Sequence, residues 1–336
     1  MSSNTAIKRV AIIGSGIAGL SCARKLQSYG VAVDVFEKSR GASGRMSTRR
    51  NEEWAADHGA QYFTARDPRF HEEVQRWMQA GIAAIWSPKL KVFTDGVWHA
   101  SNSKETRYVG IPSMNSPGKY LAEDLLIQYE TTITKLERAD NQWALYCNEN
   151  RAISALYDYV VLAIPAPQAS VLVKSLDSRA SDIADSAQMK ACWTMIAHFP
   201  NQPTTDFDAA FINQEMISWV CQNGSKPLRQ GSRWTIHGSP AWSQENVELS
   251  KEDAQNRMME GLKRLGFDCR NSEISMHRWR YASGGLENST GFLSLPDISL
   301  GLCGDWLNSG RVEGAWLSGV QLAASIHQFT KNIQGN

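Results

Sequence analysis

Apolar and polar residues along this chain change period in a way that divides it into elements. Val10-Ala11-Ile12-Ile13 is a short unbroken apolar run stopped by Gly14, the pattern of a strand buried on both faces. From 17 to 29 the spacing turns helical, with Ile17, Leu20, Cys22, Ala23 and Leu26 able to share one face before Gly30 ends the helix. A second apolar run over 31–36 predicts another buried strand, with Glu37 directly after it. Helical spacing returns over 118–128, and 133–136 and 142–147 alternate as antiparallel strands of a meander. Tyr159-Val160-Val161-Leu162-Ala163-Ile164, closed by Pro165, reads as a central parallel strand joining the first two. Beyond it, 211–220, 233–237 and 275–280 predict a second, antiparallel sheet. No internal repeat interrupts this order.

Composition narrows the class. The 336 residues allow one large or two medium domains. The net charge of +1 is spread along the chain, which argues against a nucleic-acid binder, where a basic stripe is expected. Six scattered cysteines without a C-x-x-C pair read as reduced thiols, and no His/Cys cluster has metal spacing, so no metal is expected. No apolar stretch approaches the ~18 residues of a spanning helix, and the polar lead before the first strand is too short for a signal peptide. These features point to a cytoplasmic protein with no membrane or nucleic-acid partner. Twelve tryptophans exceed what packing needs, and some are candidates to line a pocket for a flat ligand.

The chemistry is concentrated in the first strand–helix–strand unit. Gly14-x-Gly16-x-x-Gly19 lies between strand and helix, where each glycine has a separate physical role. Gly14 permits the tight turn, Gly16 lets backbone approach a pyrophosphate, and Gly19 lets the helix pack on the strand. The helix start, with Ile17 and Ala18, offers free N–H groups and the positive dipole end to phosphates. Glu37, 18 residues after Gly19, is placed to accept from ribose hydroxyls, with Lys38 beside it. Dinucleotide binding is the reading these features support. Ser39-Arg40-Gly41-Ala42-Ser43-Gly44-Arg45-Met46 follows at once. It is either a loop folding back over the pyrophosphate to supply N–H donors and a cation, or a glycine-rich surface loop with incidental arginines.

Further motifs carry a resemblance. They are Asp57-His58-Gly59-Ala60-Gln61-Tyr62-Phe63-Thr64, Pro165-Ala166-Pro167-Gln168-Ala169, His277-Arg278-Trp279-Arg280-Tyr281-Ala282, Leu302-Cys303-Gly304-Asp305-Trp306 and Gly310-Arg311-Val312-Glu313-Gly314-Ala315. With the fingerprint and the Ser43-Gly44-Arg45 loop, they resemble the flavin-dependent amine-oxidase superfamily, and within it the bacterial renalase-like family, nearly end to end. The likeness is weakest between about 199 and 226. The resemblance implies noncovalently bound FAD. Gly14, Gly16 and Gly19 would hold the pyrophosphate, Glu37 the ribose, and Gly44, Arg45 and Met46 the phosphate side. It further implies Gly59, Ala60 and Gln61 beside the isoalloxazine, Ile133 at the adenine, Gly304 and Asp305 at the ribityl chain, with a bridge to phosphate as the alternative for Asp305, and Val312, Gly314 and Ala315 at the start of a last helix facing the flavin. Cys303 lies wrongly for covalent attachment. One departure stands out: the family loop reads Gly-Gly-Arg, and Ser43 here would be strained if the position needs a glycine-only backbone angle.

The expected fold is an α/β architecture: a discontinuous doubly wound, Rossmann-like FAD domain (1–64, 101–167 and 291–336) and a β-rich α+β substrate domain (65–100 and 168–290). This is the arrangement of p-hydroxybenzoate-hydroxylase-like flavoproteins. The activity implied by the resemblance is oxidation of misreduced (2- or 6-dihydro) NAD(P)H isomers by hydride transfer to flavin N5, giving NAD(P)+ and, with dioxygen, hydrogen peroxide. An amine oxidase or desaturase on another small substrate is the nearest alternative, and a non-enzymatic flavin redox sensor a third. No second G-x-G-x-x-G unit exists, so a substrate must reach the flavin directly. Candidate pocket residues are Tyr62, Trp193, His237 and Arg278, each with an ordinary packing, sheet or ion-pair role as its alternative.

Overall fold

The run Arg9–Ile13 becomes the centre of a six-stranded sheet, because four consecutive apolar side chains need cover on both faces. It pairs in parallel with Ala32–Phe36 on one side (Val10 opposite Val33) and with Tyr159–Leu162 on the other (Val10 opposite Tyr159). Leu126–Gln128 adds a parallel edge, Leu300–Leu302 a parallel strand beyond Tyr159–Leu162, and Leu293–Leu295 an antiparallel one. The helix Ile17–Ser28 links the first two strands. Gly30, at φ 80°, closes it, with the Gly30 and Val31 N–H groups donating to Gln27 O and Leu26 O. The computed structural model describes residues 7–148, 151–200 and 205–334.

The chain falls into two compact units. The first comprises Met1–Gly44, Gly118–Met189 and Gly284–Asn336; the second comprises Arg45–Pro117 and Lys190–Ser283. The first holds the parallel sheet, the meander Ile133–Ala139, Gln142–Cys147 and Arg151–Tyr157, and the long helix Val312–Gln334. That helix packs on Ile17–Ser28 at very short range. A Cβ on Gly319 would collide with Ala18 O, and Ser21 Oγ donates to Trp316 O at 3.1 Å. The two ends of the described chain are thus joined helix to helix within one unit.

The second unit is built on a seven-stranded sheet. Its order is Glu273–Gly285, Gln188–His198, Trp234–Gly238, Ile217–Gln222, Ala209–Ile212, Leu90–Thr94 and Val97–Ala100. Helices Lys251–Arg264, capped by Ser250, and Pro240–Glu245 accompany a core that includes Trp193, Met195, Trp234, Ile236 and Met258. Both components of the expected α/β architecture are present.

Two sequence expectations are corrected in detail. The helix read over 118–128 is Ser116–Ala122 only; Asp124 turns the chain with φ 60°, and Leu126–Gln128 pairs as the sheet edge. A short apolar run serves either element, and here pairing with 34–36 decides. The compact units also divide at 44/45, 117/118, 189/190 and 283/284, so 45–64 and 101–117 belong with the second unit, and 168–189 and 284–290 with the first. Among the described residues no helix is long and apolar enough to cross a membrane.

Candidate functional site

The fingerprint turn separates its three glycines by steric role. At Gly14, φ 104°, a Cβ would sit 2.6 Å from Ala163 O; at Gly19 it would strike Gly14 O. Both positions are closed by the protein itself. At Gly16 a Cβ would meet nothing within 4 Å, so this glycine faces open space at the head of the helix. That space is what a pyrophosphate approaching bare backbone requires. Ile17 and Ala18 are buried in the first helical turn.

Glu37 is buried and already anchored. Its Oε2 accepts from the N–H and the hydroxyl of Ser15, each at 2.8 Å, and its Oε1 from Ser39 N–H at 2.8 Å. The carboxylate is therefore fixed against the turn, with lone pairs remaining for a ribose. Lys38 is exposed. The 39–44 loop folds back onto the fingerprint turn. Ser43 N–H donates to Ser15 O at 2.9 Å, and Ser43 bridges Gly16 in parallel; a Cβ on Gly44 would lie 3.2 Å from Gly16 Cα. Ser43 has φ 100°, so the condition set by the Gly-to-Ser departure is met: the position holds an angle that favours glycine.

The C-terminal motif sits in the same unit. Gly304 N–H donates to Ser318 Oγ at 2.9 Å, and Asp305, 6% exposed, opens a short turn whose carbonyl receives Asn308 and Gly310 N–H. The last helix begins at Val312, and Gly314 is closed against Asn308 O, with Ala315 following. Ile133 is buried at the start of its strand. Cys303 is buried and hydrogen-bonded to Cys22, whose pKa is raised well above that of an ordinary thiol by that bond and by burial.

Arg45, Met46 and the 57–61 stretch belong to the second unit. Ala60 N–H donates to Arg45 O at 2.9 Å, Gly59 is pressed against the same carbonyl, and Arg45 Nη1 donates to Ala282 O at 3.1 Å. Met46 is buried. Gln61 is locked: its amide nitrogen donates to Asp57 O and Gly59 O, and its Oε1 accepts from Lys226 Nζ at 3.1 Å.

Lys226 leads to a cluster that the motifs did not reveal. Its side chain, with no exposure, donates to Asp57 Oδ2 at 3.2 Å, and Arg229 Nη2 donates to the same oxygen at 2.9 Å. Asp57 also receives Thr48 Oγ1 at 2.6 Å and Met114 N–H at 3.0 Å. Burial alone would raise its pKa, but the two cations and the two hydrogen bonds outweigh it and hold the carboxyl down at about 2. No motif carries this signal, since Lys226 and Arg229 lie about 170 residues from Asp57.

Strand alternation sorts the four pocket candidates. His237 pairs with both Trp219 and Thr194, so these three share one sheet face. Tyr62 packs near Trp219 (5.8 Å) and Trp86 (6.1 Å), with the Arg107 guanidinium 5.2 Å over its ring. Burial raises the Tyr62 pKa, against the opposing pull of Arg107. Trp193, next to Thr194, points to the opposite face, where it is 1% exposed in the core and donates to Asn246 O at 2.9 Å. Arg278 lies over Trp193 at 5.5 Å and donates to Val247 O at 2.6 Å. Tyr62 and His237 thus lie around Trp219, while Trp193 and Arg278 form a separate packing and ion-pair group with Glu248.

His58 of the 57–61 stretch meets a second histidine, His277. His58, His277 and Trp279 stack edgewise, with His58–His277 centroids at 4.8 Å and His277–Trp279 at 4.3 Å, and Trp279 Nε1 donates to His58 O. Burial, then Arg49, lowers the His58 pKa to about 4; burial, then His58 and Arg49, lowers that of His277 to about 4; burial, then Lys226, lowers that of His237 to about 4. All three rings are neutral at physiological pH.

Comparison with known proteins gives the family and the fold. Residues 12–80 match an NAD(P)-binding Rossmann-like domain, and 67–327 match flavin containing amine oxidoreductase. An L-amino-acid oxidase of Sistrurus catenatus edwardsii is 39% identical over 72 residues, which are 21% of this chain and only 13% of that protein. Among solved structures, a presumed protoporphyrinogen oxidase from Exiguobacterium sp. 255-15 superposes with TM-score 0.77 at 12% identity, covering 96% of this chain and 99% of that one. Cyclohexylamine oxidase from Brevibacterium oxydans gives 0.71 at 11% identity, covering 96% and 99%. At such identity the structures establish the shared fold, and the family match over 67–327 establishes the kinship: this chain belongs to the flavin containing amine oxidoreductase family, and is by class a flavin-dependent oxidoreductase.

Proposed function

We propose that the chain binds FAD noncovalently through the first unit and oxidises a small substrate, with dioxygen as final acceptor, and that it works in the cytoplasm. The fit of the cofactor rests on the open face of Gly16, the anchored Glu37, and the helix start at Val312, all in one unit. Within the first unit, Gly304, Asp305 and Gly314 would line the ribityl side. The burial of Cys303 supports noncovalent binding. Bound FAD would supply a two-electron acceptor and, on reaction with dioxygen, hydrogen peroxide.

The substrate we assign is a misreduced dihydronicotinamide, the renalase-type reading. The observation that supports it is electrostatic. The rings of Tyr62 and Trp86 already carry cations, Arg107 at 5.2 Å and Lys226 at 5.7 Å, and Asp57 is taken by Lys226 and Arg229. Such a face repels an alkylammonium and tolerates a neutral ring bearing a carboxamide. Tyr62 and His237 would flank that ring, and neutral His58, His237 and His277 would give it hydrogen-bonding partners without charge.

The amine-oxidase reading is favoured by the family match and by relatives whose names specify amino acids or amines. Anaerobic stopped-flow reduction separates the two. Dihydronicotinamide isomers should bleach the flavin rapidly and alkylamines should not; the reverse result overturns the substrate assignment.

A further inference from the structure

Ser15, between the first two fingerprint glycines, is fully buried. The turn itself is closed by backbone, with Gly14 N–H on Phe36 O and Leu20 N–H on Gly16 O. The serine hydroxyl is therefore free for another task. Ser15 joins three segments of the first unit. Its carbonyl accepts from Ser43 N–H at 2.9 Å, and its N–H and its hydroxyl both donate to Glu37 Oε2 at 2.8 Å.

Glu37 is pinned from backbone to tip. Its N–H donates to Gln128 O and its carbonyl accepts from Thr131 N–H, each at 2.9 Å. Its Oε1 accepts from Ser39 N–H at 2.8 Å. At 7% exposure the carboxylate has little room to turn. Each carboxylate oxygen offers two lone pairs. Both on Oε2 are taken by Ser15, one by its backbone and one by its side chain, so the remaining acceptor capacity lies on Oε1. A carboxylate with both oxygens open can grip both hydroxyls of a ribose; one with Oε1 alone grips a single hydroxyl.

We propose that Ser15 is a positioning residue that sets how the nucleotide site reads ribose: by occupying Oε2 it makes Glu37 meet the adenosine ribose through Oε1, at one of the two hydroxyls. The other hydroxyl then adds nothing through Glu37, and a cofactor lacking it binds as well as FAD. This role rests on the FAD reading above. Ser15→Ala removes the side-chain donor and keeps both backbone bonds. Oε2 then has a lone pair to offer, and the second hydroxyl begins to count.

The test is titration of the full chain, freed of flavin and first shown to regain its flavin spectrum with FAD. The ligands are FAD and its analogues carrying 2′-deoxy- or 3′-deoxyadenosine, with binding followed by flavin fluorescence. In the wild type one analogue should bind within about twofold of FAD and the other about tenfold more weakly or worse, the loss of one charge-assisted hydrogen bond. In Ser15→Ala both analogues should bind more weakly than FAD, by about threefold or more. A turn that is merely loosened would weaken all three ligands alike and leave their ratios unchanged. Ser15→Gly, which also lacks the hydroxyl, carries the same expectation if Ser15→Ala does not fold. A wild type in which both analogues lose affinity, or neither does, overturns the proposal and leaves the FAD reading standing. Wild-type ratios in the variants overturn it as well. A wild type that binds no FAD overturns both.

Discussion

Ser43→Gly should stabilise this protein, although it removes a buried side chain. Ser43 is 1% exposed and is held at φ 100° by two backbone links to the fingerprint turn, the N–H to Ser15 O bond and the bridge to Gly16. An L-residue in that region carries about 1–3 kcal/mol of strain. Glycine removes the strain but loses about 0.5–1 kcal/mol through its more flexible unfolded chain. The Ser43 Cβ and Oγ lie against Gly118, and losing that packing subtracts further. The balance is a gain of ~1 kcal/mol, or a Tm higher by roughly 2–4 °C for a unit of this size. Ser43→Ala is the control, since it loses the hydroxyl and keeps the Cβ at positive φ. Thermal unfolding should rank Gly above wild type and wild type above Ala. A Gly variant no more stable than wild type, with Ala no worse, would refute the claim that this backbone angle is strained.

Other perturbations read other parts of the site. Gly16→Ala should leave the flavin-free protein's unfolding within about 1 kcal/mol of wild type, because its Cβ meets no protein atom within 4 Å, yet it should lose flavin absorbance after gel filtration. Gly19→Ala should fail at folding, since its Cβ strikes Gly14 O. Asp57→Asn strands two buried cations and should cost about 3–5 kcal/mol in chemical denaturation, whereas Lys226→Met, which leaves Asp57 with Arg229, Thr48 and Met114, should cost less. The three histidines titrate near 4 in the folded protein against 6.5 unfolded. Their contribution is therefore present above pH 6.5 and is lost as pH falls toward 4, where the unfolded chain binds more protons. Tm should fall steeply across that window, and His277→Gln should flatten the slope.

What the sequence disclosed and what it hid differ in physical kind. The fingerprint was legible because its requirements are local: a tight turn, a close helix and an approachable backbone are each met within a few residues of Gly14, Gly16 and Gly19. The Gly-to-Ser departure at Ser43 was legible for the same reason, but the backbone angle that makes it strained came only with the structure. The edge strand Leu126–Gln128 was hidden because its apolar triplet fits either period, and only the exposed rim of a sheet chooses between them. The Asp57–Lys226–Arg229 knot was hidden more deeply. A lysine reads as a solvated surface residue, and nothing near Lys226 in sequence announces that a carboxylate about 170 residues away will meet it out of water. The split of Trp193 from His237 has a third cause. Alternation along one strand assigns opposite faces to Trp193 and Thr194, but which face points toward Tyr62 depends on the pairing of Thr194 and Trp219 with His237 across three strands. Residues that hold a cofactor through their own backbone can be read one element at a time. Residues that select a substrate do so through side chains from several strands, and their grouping exists only once register is set.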